Sequence, residues 1–304
     1  MNSTISRTPP VEIRNKLRSE VHFGCPVEGC GSPYLSWHHF DPPWNIHPHH
    51  NPEGTIALCL QHHKEADQGA FTIQQLRNMK KHPYLKEAGE FPKGRFNWRR
   101  EKLLLLAGGT WYINTPVILR IRGKDIIWFS KDKDGFDQLN LDIYDSKGDV
   151  LLSMRDNDWL IHAPFDDMEC PPSGNSLKLK VPSHDVWIDL RFSQVSRSEL
   201  YERVKSLSRK AYEDTRERMR KTWPKDDWTQ RILASMRFKE ERARDMFESI
   251  SEEIEEAIIT LCTLEGHLVW PFGVLMHKTH TVLPGENVLA GSLVVNCGVA
   301  VEIA

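Results

Sequence analysis

The stretch "SWHHFDPPWNIHPHHNPEGTIALCLQHHKEAD", from Ser36 to Asp67, places seven histidines within 32 residues. Six of them form three adjacent His-His pairs. Histidine is the commonest metal-binding side chain and the usual general base near neutral pH. The segment therefore points to metal storage, a structural zinc or a catalytic site, and the spacing of the ligands must separate these three.

The cysteines around this stretch have the spacing of a structural zinc site. "CPVEGC" gives Cys25-x4-Cys30, and "CLQH" gives Cys59-x2-His62. Together they make a Cys3His set, and zinc prefers four tetrahedral nitrogen or sulphur ligands. A module of about 60 residues buries little core by itself, whereas a structural zinc contributes roughly 10–16 kcal/mol of binding energy coupled to folding. The alternative is a set of free buried thiols beside a surface histidine.

The remaining histidines at the two ends of the stretch suggest a second ion. Neighbouring side chains in a strand face opposite sides, so of His38 and His39 one can bind a metal while the other accepts a proton. His63 and Asp67 are four residues apart and lie on one face of a predicted helix. His38, His63 and Asp67 then form a partial shell with open positions, as catalytic metals keep. The alternative for His38 and His39 is a solvated surface pair.

This arrangement resembles the His-Asn-His (HNH) endonucleases of the ββα-metal class. The matching motifs are "HHF" at 38–40, "ALCLQHH" at 57–63 and Asp67 one helical turn later. The resemblance covers residues 22–82 and implies two strands and a helix around one divalent ion, with cysteine knuckles holding a structural zinc. One position departs from the family, because the residue nine before His63 is Gly54 and not asparagine. Asn51 is the predicted replacement, with Glu53, Thr55 or a backbone group as alternatives.

The resemblance implies hydrolysis of a DNA phosphodiester bond. His39 is the predicted general base, and His38, His63 and Asp67 are predicted to hold Mg²⁺ or Mn²⁺, although two imidazole ligands also admit Zn²⁺ or Ni²⁺. Residues 1–102 carry 14 Lys and Arg against 10 Asp and Glu, which favours a polyanionic partner, double-stranded DNA. The predicted phosphate contacts are Lys64, Arg77, Lys80, Lys81, Arg95, Arg99 and Arg100. The loop histidines His47, His49 and His50 are expected to touch substrate or solvent.

The rest of the chain predicts an α+β protein of several segments. Short helices are predicted around Val11–Glu20, from near His62 through "QHHKEAD", and over "TIQQLRNMKKH" before Pro83. A basic, loop-like linker at 83–102 follows the 22–82 module, and then come a mainly antiparallel β domain at 103–195, a charged helical segment at 196–263 and a β-rich tail at 264–304. Ser196 and Glu199 form a capping-box signature for the first helix of that segment. This helix is expected to end near Trp223, before Pro224. A second helix should begin at Asp226 or Asp227 and reach about Thr263.

Three function classes stay open at this point. One is the metal-dependent nuclease, and another is a non-catalytic zinc-knuckle module that binds DNA or protein. In the third, residues 103–304 sense a partner or ligand and the nuclease is the output. The 196–263 helices could also form a homodimer arm, or pack on the β domain. No signal peptide, membrane span or Gly-rich phosphate loop is visible, so we expect a cytoplasmic chain without membrane association or nucleotide hydrolysis.

Overall fold

The computed structural model describes residues 5–98, 100–145, 147–181, 186–222, 230–231, 238, 240–255, 257–270, 274–278 and 280–304. Its helices are α1 (Val11–Glu20), α2 (Leu60–Asp67), α3 (Ile73–Lys81), α4 (Tyr84–Ala88), α5 (Arg197–Thr222) and α6 (Glu240–Glu253). The first ten strands are β1 (Leu35–His39), β2 (Thr55–Cys59), β3 (Lys93–Arg95), β4 (Leu104–Ala107), β5 (Thr110–Ile113), β6 (Val117–Ile121), β7 (Lys124–Lys131), β8 (Asp137–Tyr144), β9 (Val150–Arg155) and β10 (Asp158–Ile161). The others are β11 (Asp167–Glu169), β12 (Ser176–Val181), β13 (Val186–Ser196), β14 (Ile258–Trp270), β15 (Val274–Met276), β16 (Thr281–Leu283), β17 (Asn287–Leu289), β18 (Leu293–Val295) and β19 (Val299–Ile303).

This mixture of helices and largely antiparallel strands confirms the predicted α+β class. The chain divides into two compact units. The first unit contains Met1–Trp98 and Val150–Asp189, and the second contains Arg99–Asp149 and Leu190–Ala304. The segment boundaries given above remain predictions.

The Cys/His-rich stretch forms a β-hairpin followed by a helix. Strands β1 and β2 pair antiparallel, with His38 opposite Ile56 and His39 opposite Thr55. Helix α2 follows β2 directly, so that one short segment carries ligands from both strands and the helix. Apolar side chains such as Leu17, Ile56 and Leu76, contributed by α1, β2 and α3, are almost fully buried around it. This core gives the hairpin a supporting layer on the side away from solvent.

Two predicted elements of this first unit are confirmed. The helix predicted at Val11–Glu20 is α1. Helix α3 begins after a capping box in which Thr72 accepts from the Gln75 N–H, and it ends at Lys81 before Pro83. The sequence predicted that α2 begins near His62, and the helix begins two residues earlier, at Leu60.

The prediction that residues 83–102 are loop-like is wrong. Helix α4 occupies Tyr84–Ala88, and Gly89 in a left-handed conformation ends it. Strand β3 pairs antiparallel with β10, and Gly94 lies opposite Trp159. A Cβ at Gly94 would lie 2.6 Å from the Trp159 ring. This position of the strand therefore requires glycine, which lets the two strands approach closely.

The second unit is built from β-strands with α5 and α6 packed on part of them. Strand β4 pairs with β5 antiparallel and with β14 in parallel, and β6, β7 and β8 form an antiparallel meander. Leu200 and Val204 of α5 are fully buried beside Leu104 and Trp111. The predicted capping box is present, because Glu199 N donates to Ser196 Oγ and Ser196 N donates to Glu199 Oε2.

The predicted carboxyl end of the second helix in the 196–263 segment is wrong. Helix α6 stops at Glu253, and β14 begins at Ile258. The run "IITLCT" is rich in β-branched residues and pairs with β4, with Leu261 opposite Leu104. The predicted helix boundaries at Trp223, Asp226 and Asp227 lie outside the described residues. Within the described part of the chain, none of the helices is both long and apolar enough to cross a membrane.

Candidate metal centres

Four cysteine and histidine side chains converge where β2 meets α2. Cys25, Cys30, Cys59 and His62 each bring one ligand atom, and these atoms all lie within 4.8 Å of one another. His62 Nδ1 is 3.3 Å from both Cys25 Sγ and Cys59 Sγ, and the Cys30 and Cys59 sulphurs are 3.9 Å apart. A zinc–sulphur bond of ~2.3 Å places tetrahedral ligands about 3.8 Å apart. The four side chains therefore have the spacing that a structural zinc requires.

The chemistry of this donor set also fits zinc. Burial raises the pKa of the Cys25 and Cys30 thiols, since a thiolate without a counter-charge is costly there. A cation at the centre of the cluster would reverse that effect. Backbone bonds shape the knuckle: Cys30 N donates to the Val27 carbonyl, and Gly31 N donates to the Cys25 carbonyl. Gly31 has φ +61°, which few other residues adopt.

A second cluster contains His38, His63 and Asp67, one from β1 and two from α2. Their ligand atoms also lie within 4.8 Å of one another. His38 Nδ1 is 3.1 Å from Asp67 Oδ1, and His63 Nε2 is 3.7 Å from Asp67 Oδ2. Burial lowers the pKa of His38 and of His63, so both imidazoles are neutral at pH 7, the form that binds metals. The three residues predicted to share an ion are thus brought together.

Ser36 sets the tautomer of His63. The Ser36 hydroxyl donates to the Leu58 carbonyl at 3.1 Å, so its oxygen accepts from His63 Nδ1 at 2.8 Å. The lone pair of His63 then lies on Nε2, which is buried and has no hydrogen-bond partner among the described residues. Metal-binding imidazoles are oriented in this way by a partner on their other nitrogen. Sequence reasoning missed Ser36, although its position two residues before His38, on the same strand face, was a usable signal.

His39 lies on the other side of β1, in different surroundings. Its ring is 4.7 Å from the Trp44 ring and 5.3 Å from the His49 ring, measured between centroids. The side chain is buried, and neither ring nitrogen has a hydrogen-bond partner within the described part of the chain. Burial, reinforced by His49 and His50, lowers the pKa of His39 to about 4. His39 is therefore a neutral imidazole with an available lone pair at pH 7.

A cavity of about 380 Å³ connects the two histidine environments. His38, His39 and Asp67 line it, together with Trp44 and Arg7. Arg7 is exposed and adds the positive charge that an anionic substrate would meet there. Its position in the amino-terminal lead-in gave no sequence signal, because only the fold brings it beside residues some thirty positions later.

Asn51 does not face the cavity in the way the family pattern implied. Its Oδ1 accepts from Glu53 N and caps the short 3-10 helix Pro52–Gly54. Gly54 itself is required by packing, since a Cβ there would lie 1.9 Å from the Asp41 carbonyl oxygen. The Gly54 carbonyl accepts from the backbone N–H groups of Phe40 and Asp41. Through its backbone, Gly54 therefore connects the segment before β2 to the segment after β1.

Both ring nitrogens of His49 form hydrogen bonds to the backbone of the same loop. Nδ1 accepts from Asn51 N at 3.0 Å, which leaves Nε2 to donate to the Pro42 carbonyl at 2.9 Å. Its ring stands edge-on to His39, at an interplanar angle of 84°. His49 is thus a structural residue of the candidate site, whereas His47 in the same loop is exposed.

The predicted phosphate contacts are in different situations. Lys64 and Lys81 are exposed. Arg77 pairs with Asp41, and Arg95 bonds Asp158. Lys80 is the exception, because its ammonium donates to the Pro52 and Thr55 carbonyls and pairs with Glu20 at 3.0 Å. Arg100 belongs to the second unit, and Arg99 lies outside the described residues.

The chain was compared with protein-family models, with curated proteins and with solved structures, and none of them matches.

Proposed function

We propose that this protein is a metal-dependent endonuclease that hydrolyses DNA phosphodiester bonds, and that β1, β2 and α2 form its HNH-like ββα-metal module. The observation that carries the proposal is the pairing of two histidine environments on one cavity. On one side His38, His63 and Asp67 present an open ligand set, and on the other side His39 presents a buried, unprotonated imidazole. A zinc-knuckle module that only binds its partner needs the Cys3His set and neither of these.

In this proposal His38, His63 and Asp67 hold the ion, and Ser36 keeps the His63 lone pair directed at it. A divalent ion held there would supply positive charge to the phosphate as negative charge develops on it. Mg²⁺ or Mn²⁺ suits the carboxylate and the open positions, while Zn²⁺ or Ni²⁺ suits the imidazoles. The Cys3His set holds a separate structural zinc.

His39 then acts as the general base. It takes a proton from a water molecule while the water oxygen bonds to phosphorus and the bond from phosphorus to the 3′ oxygen breaks. The departing 3′ oxygen takes a proton from solvent water, and His39 then releases its own proton to solvent. Burial lowers the pKa of His39 to about 4, so the ring is unprotonated at pH 7, and the negative charge of a bound phosphate would raise this pKa. Arg7 lines the same cavity and is placed to bind a non-bridging oxygen.

His49 takes the positioning role that asparagine has in the family pattern. It joins the backbone at Pro42 to the backbone at Asn51 and supports the His39 ring from its edge. Lys64, Lys81, Arg77 and Arg95 remain candidate contacts to the DNA backbone, which give affinity without sequence preference. Lys80 is left out of this set because its ammonium is bonded internally.

A plasmid-nicking assay tests the proposal. Supercoiled DNA should be nicked in the presence of Mg²⁺ or Mn²⁺, and EDTA should stop the reaction. His63→Ala should keep the structural zinc, bind DNA and lose nicking at low metal concentration, because only the open ligand set is damaged. A protein that binds DNA but never cuts it with Mg²⁺, Mn²⁺, Ni²⁺ or Zn²⁺ would instead support the non-catalytic binding module.

A further inference from the structure

His267 of β14 lies beside two further histidines of the second unit, His277 directly after β15 and His280 directly before β16. Strands β14 and β15 pair antiparallel with Leu268 opposite Met276, so His267 comes opposite His277. Strands β15 and β16 pair with Met276 opposite Thr281, so His277 comes opposite His280, and His277 N donates to the His280 carbonyl. Side chains at opposite positions share one face of the sheet, with Cβ atoms about 5 Å apart. We call these three residues the histidine ladder.

The spacing of the ladder nitrogens matches that of metal ligands. His267 Nδ1 and His277 Nδ1 are 3.3 Å apart, and their ring centroids are 4.8 Å apart. Two imidazoles that bind one zinc with bonds of ~2.0–2.1 Å are separated by about 3.3 Å at the tetrahedral angle. The same distance also suits a hydrogen bond between the two rings, so an experiment has to separate the two cases.

His280 lies beside this pair as a third imidazole. Its ring stacks on His277 with centroids 4.6 Å apart and an interplanar angle of 30°. It also lines a small cavity of about 80 Å³ with Asp214 and Thr215 of α5. All three ladder side chains are half-buried, which leaves room for solvent as a further ligand.

We propose that His267 and His277, with His280 beside them, form a site for a divalent transition-metal ion, chemically of the Zn²⁺ or Ni²⁺ class, that no Cys/His motif of the sequence indicates. Imidazole ligands favour these ions over Mg²⁺ and Ca²⁺. An ion bound here would join β14 to the end of β15 and stabilise this part of the second unit. The site does not depend on the proposed nuclease activity.

Nickel binding to the full-length chain tests the ladder. The His63→Ala protein, with its Cys3His zinc in place, removes the other open ligand set. Calorimetric titration with Ni²⁺, with bound nickel counted by elemental analysis, should give one equivalent per chain. Adding His277→Gln should weaken this binding by more than the roughly 10–100-fold that loss of an outer-shell partner costs. Adding His82→Gln instead, at an exposed histidine paired with Glu87, should leave it unchanged.

A second readout needs no substitution in the ladder. One equivalent of Cu²⁺ added to the His63→Ala protein should show hyperfine splitting from at least two imidazole nitrogens in its electron paramagnetic resonance spectrum. Absence of nickel binding to the His63→Ala protein, nickel binding that His277→Gln does not change, or a copper spectrum without imidazole nitrogens would each overturn the proposal.

Discussion

At the scale of single residues, the orientation of His63 depends on one hydroxyl group. Ser36 connects the His63 ring to the Leu58 carbonyl, and this bond leaves the Nε2 lone pair for an ion. The arrangement couples β1 to α2 through a side chain that belongs to neither candidate metal cluster. It also holds the imidazole of a short helix in one orientation.

Ser36→Ala is therefore expected to weaken the binding of Mn²⁺ to His38, His63 and Asp67 by roughly 10–100-fold. The zinc content at the Cys3His site should stay the same, because Ser36 makes no contact with that set among the bonds described here. Calorimetric Mn²⁺ titration checks this, with Ser19→Ala as the control, since the exposed Ser19 hydroxyl bonds to the Lys16 carbonyl. Equal Mn²⁺ affinity in both variants would mean that Ser36 does not orient His63.

Gly54→Ala should destabilise the protein by about 1–3 kcal/mol, the usual cost of forcing atoms into a packed site. The new Cβ would lie 1.9 Å from the Asp41 carbonyl oxygen, which is backbone and cannot turn away. Gly298→Ala is the matched control, because no described atom lies within 4 Å of the corresponding Cβ. Denaturant unfolding measures both, and a Gly54→Ala protein as stable as the control would contradict the close packing of this loop.

The ligand residues of the site could be predicted from the sequence, and their supports could not. Cys25, Cys59 and His62 show regular spacing, and helical periodicity places His63 and Asp67 on one face. Arg7 and Trp44 reach the site only through tertiary packing, which leaves no local pattern. The role of Gly54 was missed for the same reason, since it depends on a carbonyl group thirteen residues earlier in the chain.

At the scale of elements, the junction of β2 and α2 depends on the Cys3His set. Cys59 ends β2, and His62 lies in the first turn of α2, so a zinc here would fix the strand-to-helix turn. Helices α1 and α3 were predictable because the apolar face of each helix, and the Thr72–Gln75 capping box of α3, are local features of the sequence. The strands β3 and β14 were not, because each is stabilised by a partner far away in sequence, β10 and β4 respectively.

Cys59→Ser should lose the structural zinc and unfold the Cys/His-rich segment, since most of the roughly 10–16 kcal/mol of coupled binding energy goes with it. Elemental analysis and circular dichroism of the purified chain measure the two effects. Cys297→Ser, at an exposed thiol, should change neither. A folded, zinc-loaded Cys59→Ser protein would exclude Cys59 from the ligand set.

Lys80 and Lys81 are adjacent in α3 and should behave differently. Lys80→Met removes the ammonium that the Pro52 and Thr55 carbonyls and the Glu20 carboxylate share, so we expect a loss of about 1–3 kcal/mol in unfolding free energy. Lys81→Met should keep stability within about 0.5 kcal/mol. If Lys81 contacts DNA, its loss should also reduce the salt dependence of binding by roughly one counterion. The reverse pattern of stabilities would contradict the internal role of Lys80.

Over the whole molecule, the sequence pattern predicted the two ligand clusters of the first unit far better than the architecture of the second. Leu200 and Val204 form an apolar stripe on α5 that a homodimer arm could use, and both are buried against Leu104 and Trp111. The homodimer therefore remains a prediction, and the buried stripe does not support it. The role of residues 103–304 as a sensor also remains a proposal, and sedimentation with and without DNA would measure the assembly state.

His39 is proposed to remove a proton during DNA cleavage, and a comparison of two histidine variants tests this role. His39→Ala removes a buried imidazole that is assigned to neither ion, and His47→Ala removes an exposed one from the same region. With Mn²⁺ present, nicking by His39→Ala should be slower by roughly 10²–10⁴, the usual loss for a general base, while its zinc content and DNA affinity stay near the wild-type values. His47→Ala should cut at nearly the wild-type rate. A folded, zinc-loaded His39→Ala protein that cuts DNA as fast as the wild type would contradict the account.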